Sequence, residues 1–355
     1  WLGWLGYGAA WEIEVLPELN SDPLPFPDAY WYEPDSFAVL DHQEQILWLA
    51  ASHVEDLENL EQKLRTDTSQ AQTAELPPRS LIEFVTDQEG YMKMVARAKQ
   101  YIAQGDIFQT NLSLRFSAQS AQDPWLIYQH LQQINPSPFA SFWQTPWGGI
   151  VSCSPERLIQ LQGDRAQTRP IAGTRPRSQN LDDNRRWMEE LRSNRKENAE
   201  HIMLVDLERN DLGRVCTWGS VEVNELCVIE SYSHVMHLVS NVTGMLKPDQ
   251  NAVDLIQATF PGGTITGCPK VRCMEIIEEL EPVSRSLFYG SCGFLDYRGD
   301  LDLNILIRTL LHGLSSTDGL RTFWGQVGAG IVADSQPEQE WLEALQKAKA
   351  LFAVL

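Results

Sequence analysis

The sequence predicts an α+β fold, and three observations carry that reading. Strand-like and helix-like segments are mixed along the chain without strict βαβ alternation. Segments such as FQTNLSLRFSA (108–118) alternate in polarity, the period of a strand. Other stretches repeat apolar residues at helical spacing, most clearly at the C-terminus.

The elements follow in order. Phe37–Leu40 and Ile46–Ala50 flank a polar turn at His42–Glu44, which predicts a hairpin. Residues 67–80 are polar and contain Pro, a linker composition. Residues 87–105 have helical spacing and end at Gly105, a C-cap residue. Residues 121–135 read as a helix, and Phe139–Trp143 and Gly149–Cys153 as strands. The stretch 182–204 has no Gly or Pro and is rich in Glu, Arg, Leu and Met, so propensity makes it a helix. Residues 219–244 and 287–332 read mostly as strands, and 252–259 and 270–280 as helices. Ser335 and Glu338 have the spacing of a capping box before a stripe of Trp341, Leu342, Leu345, Ala348, Leu351 and Phe352. The opening WLGWLGYGAAWEIE has no Met and reads as mid-domain sequence, so an earlier N-terminal segment is expected.

Composition narrows the function. Lys plus Arg number 28 against 48 Asp plus Glu, a net charge of −20. That balance opposes binding to nucleic acid or to an anionic membrane surface. No apolar run approaches the length of a membrane helix. The six cysteines contain no CxxC pair and read as reduced thiols of a cytoplasmic protein.

Two pairs of glutamates stand three residues apart: Glu197 with Glu200, and Glu340 with Glu343. On helices, each pair shares one face. Brought together, the two faces would offer hard oxygen ligands of the kind Mg²⁺ takes. Spacing alone favours solvated surface glutamates, because ExxE is common. Gly-rich turns occur at Gly173-Thr174, Gly263-Thr264 and Gly328-Ala329-Gly330, where backbone N–H groups can approach an oxyanion. PGGTITGCPK approaches a P-loop, but its spacing is wrong and no hydroxyl follows Lys270. Arg169, Arg175, Arg177, Lys270 and Arg308 could meet a small carboxylate or simply pair with the excess acids. Glu156 follows Ser154-Pro155 at an expected strand end. His234 and His237, three apart on a strand, would face opposite ways and make poor co-ligands.

Taken together, long collinear stretches resemble the chorismate-utilising enzyme family. They include GDIFQTNLSLRF, SCSPERL, RPIAGTRPR, KENAEHIMLVDLERNDLGRV, FPGGTITGCPK, YGSCGFLDYRGDLDLNILIRT and GQVGAGIVADSQPEQEWLEALQKAKA. They run from about residue 88 to 352. The family contains anthranilate synthase component I, aminodeoxychorismate synthase component I, isochorismate synthase and salicylate synthase. The resemblance implies a large sandwich of antiparallel sheets with outer helices. It implies a partial N-terminal component I segment at 1–66 and a chorismate-binding catalytic domain at 81–355.

The resemblance also implies roles. Glu200 and Glu343 would bind Mg²⁺, with Glu197 and Glu340 as supports. Glu156 would donate a proton to the departing C4 hydroxyl, and His237 would sit near the ring. Arg308, Gly328, Gly330 and Lys347 would bind the carboxylates of chorismate, aided by Gly173, Thr174 and Thr264. Water-using members carry a Lys where this chain has Gln109, so the resemblance points to the ammonia-using branch, with a separate glutamine amidotransferase subunit as partner. At Ala172 some aminodeoxychorismate synthases carry a Lys proposed to attack C2 covalently. Ala cannot, so ammonia would attack directly. FPGGTITG, YGSCGF and DLNILIRTL resemble aminodeoxychorismate synthases, whereas Ala172 matches anthranilate synthases. The expected activity is amination of chorismate to 4-amino-4-deoxychorismate, on the way to 4-aminobenzoate and folate. The alternative is anthranilate plus pyruvate.

Overall fold

The computed structural model describes residues 1–66, 80–178, 180–231 and 235–355. The linker expected at 67–80 falls almost wholly outside them, as does His234.

Among the described residues the strand pairs are all antiparallel, and they form two large sheets and one hairpin. The first sheet runs in the order Ile171–Pro176, Val235–Met245, Arg165–Thr168, Arg157–Gln162, Leu301–Asn304, Ser291–Leu295, Leu2–Leu5 and Ala29–Tyr32. Glu222–Ser231 also pairs with Val235–Met245. The second sheet orders Gly267–Cys268, Gln109–Ser120, Arg321–Ile331, Thr309–His312, Gly148–Ser154 and Phe139–Thr145. Ile150 and Leu311 of the second sheet share one buried cluster with Leu158, Ile159, Leu161, Leu301 and Leu303 of the first, so the sheets pack face to face. The expected sandwich with outer helices is the observed fold.

Period-two alternation explains the second sheet, with polar residues facing inward. Leu112, Leu114, Phe116 and Ala118 point outward, where Tyr91, Val95, Ala98, Trp341, Ala344, Ala348 and Leu351 of two helices cover them. Gln109, Asn111, Ser113 and Arg115 alternate with them on the inner face, each no more than 9% exposed. The covering helices are Gln88–Gln104 and Pro337–Ala353. The former starts at Asp87, whose carboxylate accepts from Gly90 N, and stops at Gly105, which sits at φ 84 as the expected C-cap.

Two local expectations need correction. The helix expected over 182–204 is two helices, Leu181–Ser193 and Arg195–Val215. Asn194 breaks it by taking an extended conformation, and its Oδ1 accepts from Glu197 N at 3.1 Å, as an N-cap does. At the C-terminal helix the N-cap is Gln336, not Ser335, because Pro337 supplies a fixed φ for the first turn. Ser335 Oγ instead accepts from Val332 N at 3.0 Å. The 36–51 hairpin forms as expected, from Ser36–Asp41 and Ile46–Ala51. Leu2–Leu5 and Ala29–Tyr32 extend the first sheet from Ser291–Leu295.

Candidate active site

A cavity of about 820 Å³ opens between the two sheets and the helices Arg195–Val215 and Pro337–Ala353. Every residue to which the family resemblance assigns a role lines it except Thr174. Thr174 lies beside Gly173 on Ile171–Pro176, where its backbone is in register with His237.

Glu156 is placed by a tight Ser-Pro turn. Ser154 Oγ donates to Ile305 O at 2.6 Å and accepts from Glu156 N at 3.3 Å. The carboxyl is 8% exposed. Burial pushes its pKa up to about 7 from the ordinary 4.5, while the Thr264 hydroxyl, Arg308 and Lys347 pull it back. The Thr264 hydroxyl lies near the Glu156 carboxyl, and neither Thr264 Oγ1 nor Glu156 Oε1 completes a well-aligned hydrogen bond among the described residues. A carboxyl that holds its proton near neutrality is suited to general acid work.

Arg308 has φ 52, a left-handed conformation that is costly for Arg. It makes no ion pair among the described residues, and it faces Glu156, Glu343 and Tyr289. Lys347 donates to Gly328 O at 2.9 Å and pairs with Glu343 at 2.8 Å, one turn earlier on the same helix. The other basic residues divide. Arg175 lines the cavity and pairs with Glu190 and Glu197, both at 3.0 Å. Arg169 pairs with Glu225 and Glu230, and Lys270 with Asp211 at 2.6 Å. For Arg169 and Lys270, ordinary pairing with acids accounts for the charge.

The two glutamate pairs do face one cavity. Glu197 and Glu200 come from the helix Arg195–Val215, and Glu340 and Glu343 from Pro337–Ala353. Glu340 is 5% exposed, which is unusual for a solvated surface glutamate. Glu197 Oε1 pairs with Arg175, whereas its buried Oε2 accepts no hydrogen bond among the described residues. No three His, Cys, Asp or Glu side chains close into a metal-holding group among the described residues. The donor set still fits a hard divalent cation: carboxylates only, on two facing helices, with one buried oxygen unmatched.

Gly173 has a steric reason to be glycine. It sits at φ 57 in a bulge between Ala172 and Thr174, and a Cβ there would lie 2.7 Å from Glu197 Oε2. His237, across the strand, hydrogen-bonds to the Gly173 backbone. Burial lowers its pKa, so the neutral ring is favoured.

Tyr289 and Asn111 are among the lining residues that the sequence reading did not single out. Tyr289 is 4% exposed at φ 65, with its ring 4.6 Å from the Arg285 guanidinium. Asn111 is 9% exposed. Its signal was available, since period two places it on the same face as Gln109.

The chain matches the chorismate binding enzyme family over residues 1–353 and belongs to it. It is 64% identical over its whole length to an anthranilate synthase component I-like protein of Synechocystis sp., covering 72% of that protein. It is 46% identical, again over its whole length, to aminodeoxychorismate synthase component 1 of Bacillus subtilis, covering 76% of it. The crystal structure of anthranilate synthase component I from Streptococcus pneumoniae superposes with a TM-score of 0.89 at 32% identity, over 99% of this chain and 80% of that one. The protein is therefore a chorismate-utilising enzyme. Among the described residues no helix is long and apolar enough to cross a membrane.

Proposed function

We propose that the chain is the chorismate-aminating component of an aminodeoxychorismate synthase, acting in 4-aminobenzoate and folate synthesis. The observation that carries the ammonia-using part of this reading is the pairing in one cavity of a buried acid, Glu156, with a neutral amide, Gln109, and the stretches FPGGTITG, YGSCGF and DLNILIRTL incline it toward aminodeoxychorismate synthase. An amide cannot deprotonate water, whereas ammonia needs no base to attack.

Arg308 and Lys347 bind the carboxylates of chorismate, with backbone groups of Gly173, Gly328 and Gly330 and the Thr264 hydroxyl completing the cradle. Glu156 holds its proton at the C4 hydroxyl and releases it as that group leaves as water. Ala172 offers no nucleophile, so ammonia itself forms the bond at C2. A second ammonia then attacks C4 as the ring double bonds shift back and the first nitrogen leaves C2 as ammonia. His237, neutral, stays near the ring. Glu200 and Glu343 would hold Mg²⁺, supported by Glu197 and Glu340, and the bound ion would neutralise the ring carboxylate of the substrate. Ammonia would come from a separate glutamine amidotransferase subunit. The six free thiols suit a reducing cytoplasm. Ala172 favours a second reading, anthranilate synthase, in which pyruvate is eliminated after the first amination.

Chorismate, Mg²⁺ and ammonium salt should yield 4-amino-4-deoxychorismate and no fluorescent anthranilate. Anthranilate formed without any added lyase would assign the second reading. Wild-type activity that survives Glu200→Gln would remove the metal assignment.

A further inference from the structure

Two carboxamide oxygens in the cavity wall have no donor. Gln109 Oε1 and Asn111 Oδ1 are both buried and accept no hydrogen bond among the described residues. Both side chains line the cavity. Buried polar atoms are nearly always matched, so two orphans of one kind, two residues apart on one strand face, call for a ligand.

The neighbouring backbone shows that this arrangement is built. Asn111 Nδ2 lies 3.5 Å from Thr264 O, which turns the amide so that Oδ1 faces away from that carbonyl. Across the strand pair, Asn111 is in register with Gly330, and Ser113 with Gly328. A Cβ at Gly328 would lie 2.8 Å from Asn111 Oδ1, and one at Gly330 would lie 2.8 Å from Gln109 Nε2. The two glycines thus leave room for two carboxamides to lie over the strand.

A site with two acceptors and no base suits a small neutral donor that carries its own lone pair. We infer that Gln109 and Asn111 form the ammonia-binding site, accepting two N–H bonds while the nitrogen lone pair faces C2 of the substrate. The inference rests on the ammonia-using reading above. As the C2–N bond forms from that lone pair, the ring double bonds shift and the C4–O bond breaks. The hydroxyl leaves as water with the Glu156 proton. The nitrogen then carries a positive charge, which the two carbonyl dipoles stabilise. Water bound by the same acceptors would still need a base, which the pair does not supply, so the site also favours ammonia over water.

The test is a split of kinetic constants in Asn111→Val and Gln109→Met, both of which delete an acceptor and keep bulk. Steady-state rates are measured against ammonium salt at saturating chorismate and one fixed pH near neutrality. Chorismate dissociation constants, from tryptophan fluorescence quenching, show in the same samples that the folded site survives. Each variant is expected to raise the KM for ammonia about tenfold or more, the worth of one good hydrogen bond, with chorismate affinity within about twofold of wild type. An ammonia KM unchanged in both variants, or a parallel loss of chorismate affinity, overturns the inference and leaves the proposed function standing. A wild-type protein that binds chorismate but forms no aminated product overturns both.

Discussion

Along the inner face of the strand Gln109–Ser120 the polar side chains divide into two groups. Ser113 and Arg115 belong to a closed network. Ser113 N and Oγ donate to Glu281 Oε1, both at 2.7 Å, and Gln326 Nε2 donates to Ser113 Oγ at 2.6 Å. Arg115 donates to Gln326 Oε1 from Nε and Nη2, leaving only Nη1 unmatched. Glu281 is paired at 2.7 Å with Arg285, whose side chain is 1% exposed. Arg285 also donates to Ile265 O and Asn111 O, both at 2.8 Å. Gln109 and Asn111, on the same face of the same strand, present oxygens that accept no hydrogen bond among the described residues. One end of the strand is finished by the protein, and the other is left for a ligand. The matched buried groups fix the sandwich, whereas these two unmatched carboxamides line the cavity.

The closed end is where stability should be lost most. Arg285→Met keeps an apolar stem but leaves Glu281 as an uncompensated buried carboxylate. Breaking such a pair from one side costs about 3–5 kcal/mol. Urea unfolding at neutral pH should show a loss of that size in the variant, with a lower midpoint. A loss below about 1 kcal/mol would mean that Glu281 takes up a proton or meets water easily, and the contrast between the two ends would fail.

The open end should behave in the opposite way. Glu156→Gln is expected to lower kcat by about 10²–10⁴-fold, the usual worth of a general acid. Wild-type activity should fall as pH rises through about 7, where Glu156 gives up its proton, and the residual activity of the variant should lack that limb. Stability should also fall with rising pH, over the range below that limb. The native pKa is raised above the unfolded one, so the folded state holds an extra proton between pH 4.5 and about 7. Wild-type stability therefore declines across that window as pH rises, and it levels off above it. Glu156→Gln removes the ionisation and should flatten that decline, which unfolding curves on both sides of pH 7 can measure. A variant that loses activity and keeps the wild-type pH dependence of stability would place the titration elsewhere.

How far these contrasts could be read from sequence depends on what each rests upon. Period-two alternation in FQTNLSLRFSA identified the strand, because a strand's faces are written locally. It did not say that the polar face points inward, since that is decided by the helices Gln88–Gln104 and Pro337–Ala353, the second at the far end of the chain, covering the leucines. ExxE spacing put each pair of glutamates on one helical face but could not bring the two helices together. Family resemblance alone suggested that they meet, and the cavity shows that they do. The break at Asn194 was missed because propensity favours a continuous helix, while one side-chain cap to Glu197 N overrides it. Tyr289 carried no local signal. Its place comes from the turn after Arg285, whose guanidinium stacks on both Tyr7 and Tyr289 rings. Sequence spacing thus conveyed faces, and long-range pairing conveyed the site.

The smallest effect should come from charges that neither close the core nor face the substrate. Arg169 was one of the basic residues that could have met a carboxylate. It pairs instead with Glu225 and Glu230, and all three side chains are 27–45% exposed. Solvent screens such pairs, and holding long side chains in one geometry costs entropy, so each contributes about 0–1 kcal/mol. Arg169→Gln should therefore shift stability by about 1 kcal/mol or less, with the difference shrinking in high salt. The KM for chorismate should stay within about twofold of wild type, because Arg169 does not line the large cavity. Arg308→Gln, assayed beside it, should raise that KM steeply, because Arg308 does line it and makes no ion pair among the described residues. If both variants weakened chorismate binding equally, net positive charge near the entrance, and not a placed guanidinium, would be what attracts the substrate. The division between matched and unmatched charge would then no longer locate the site.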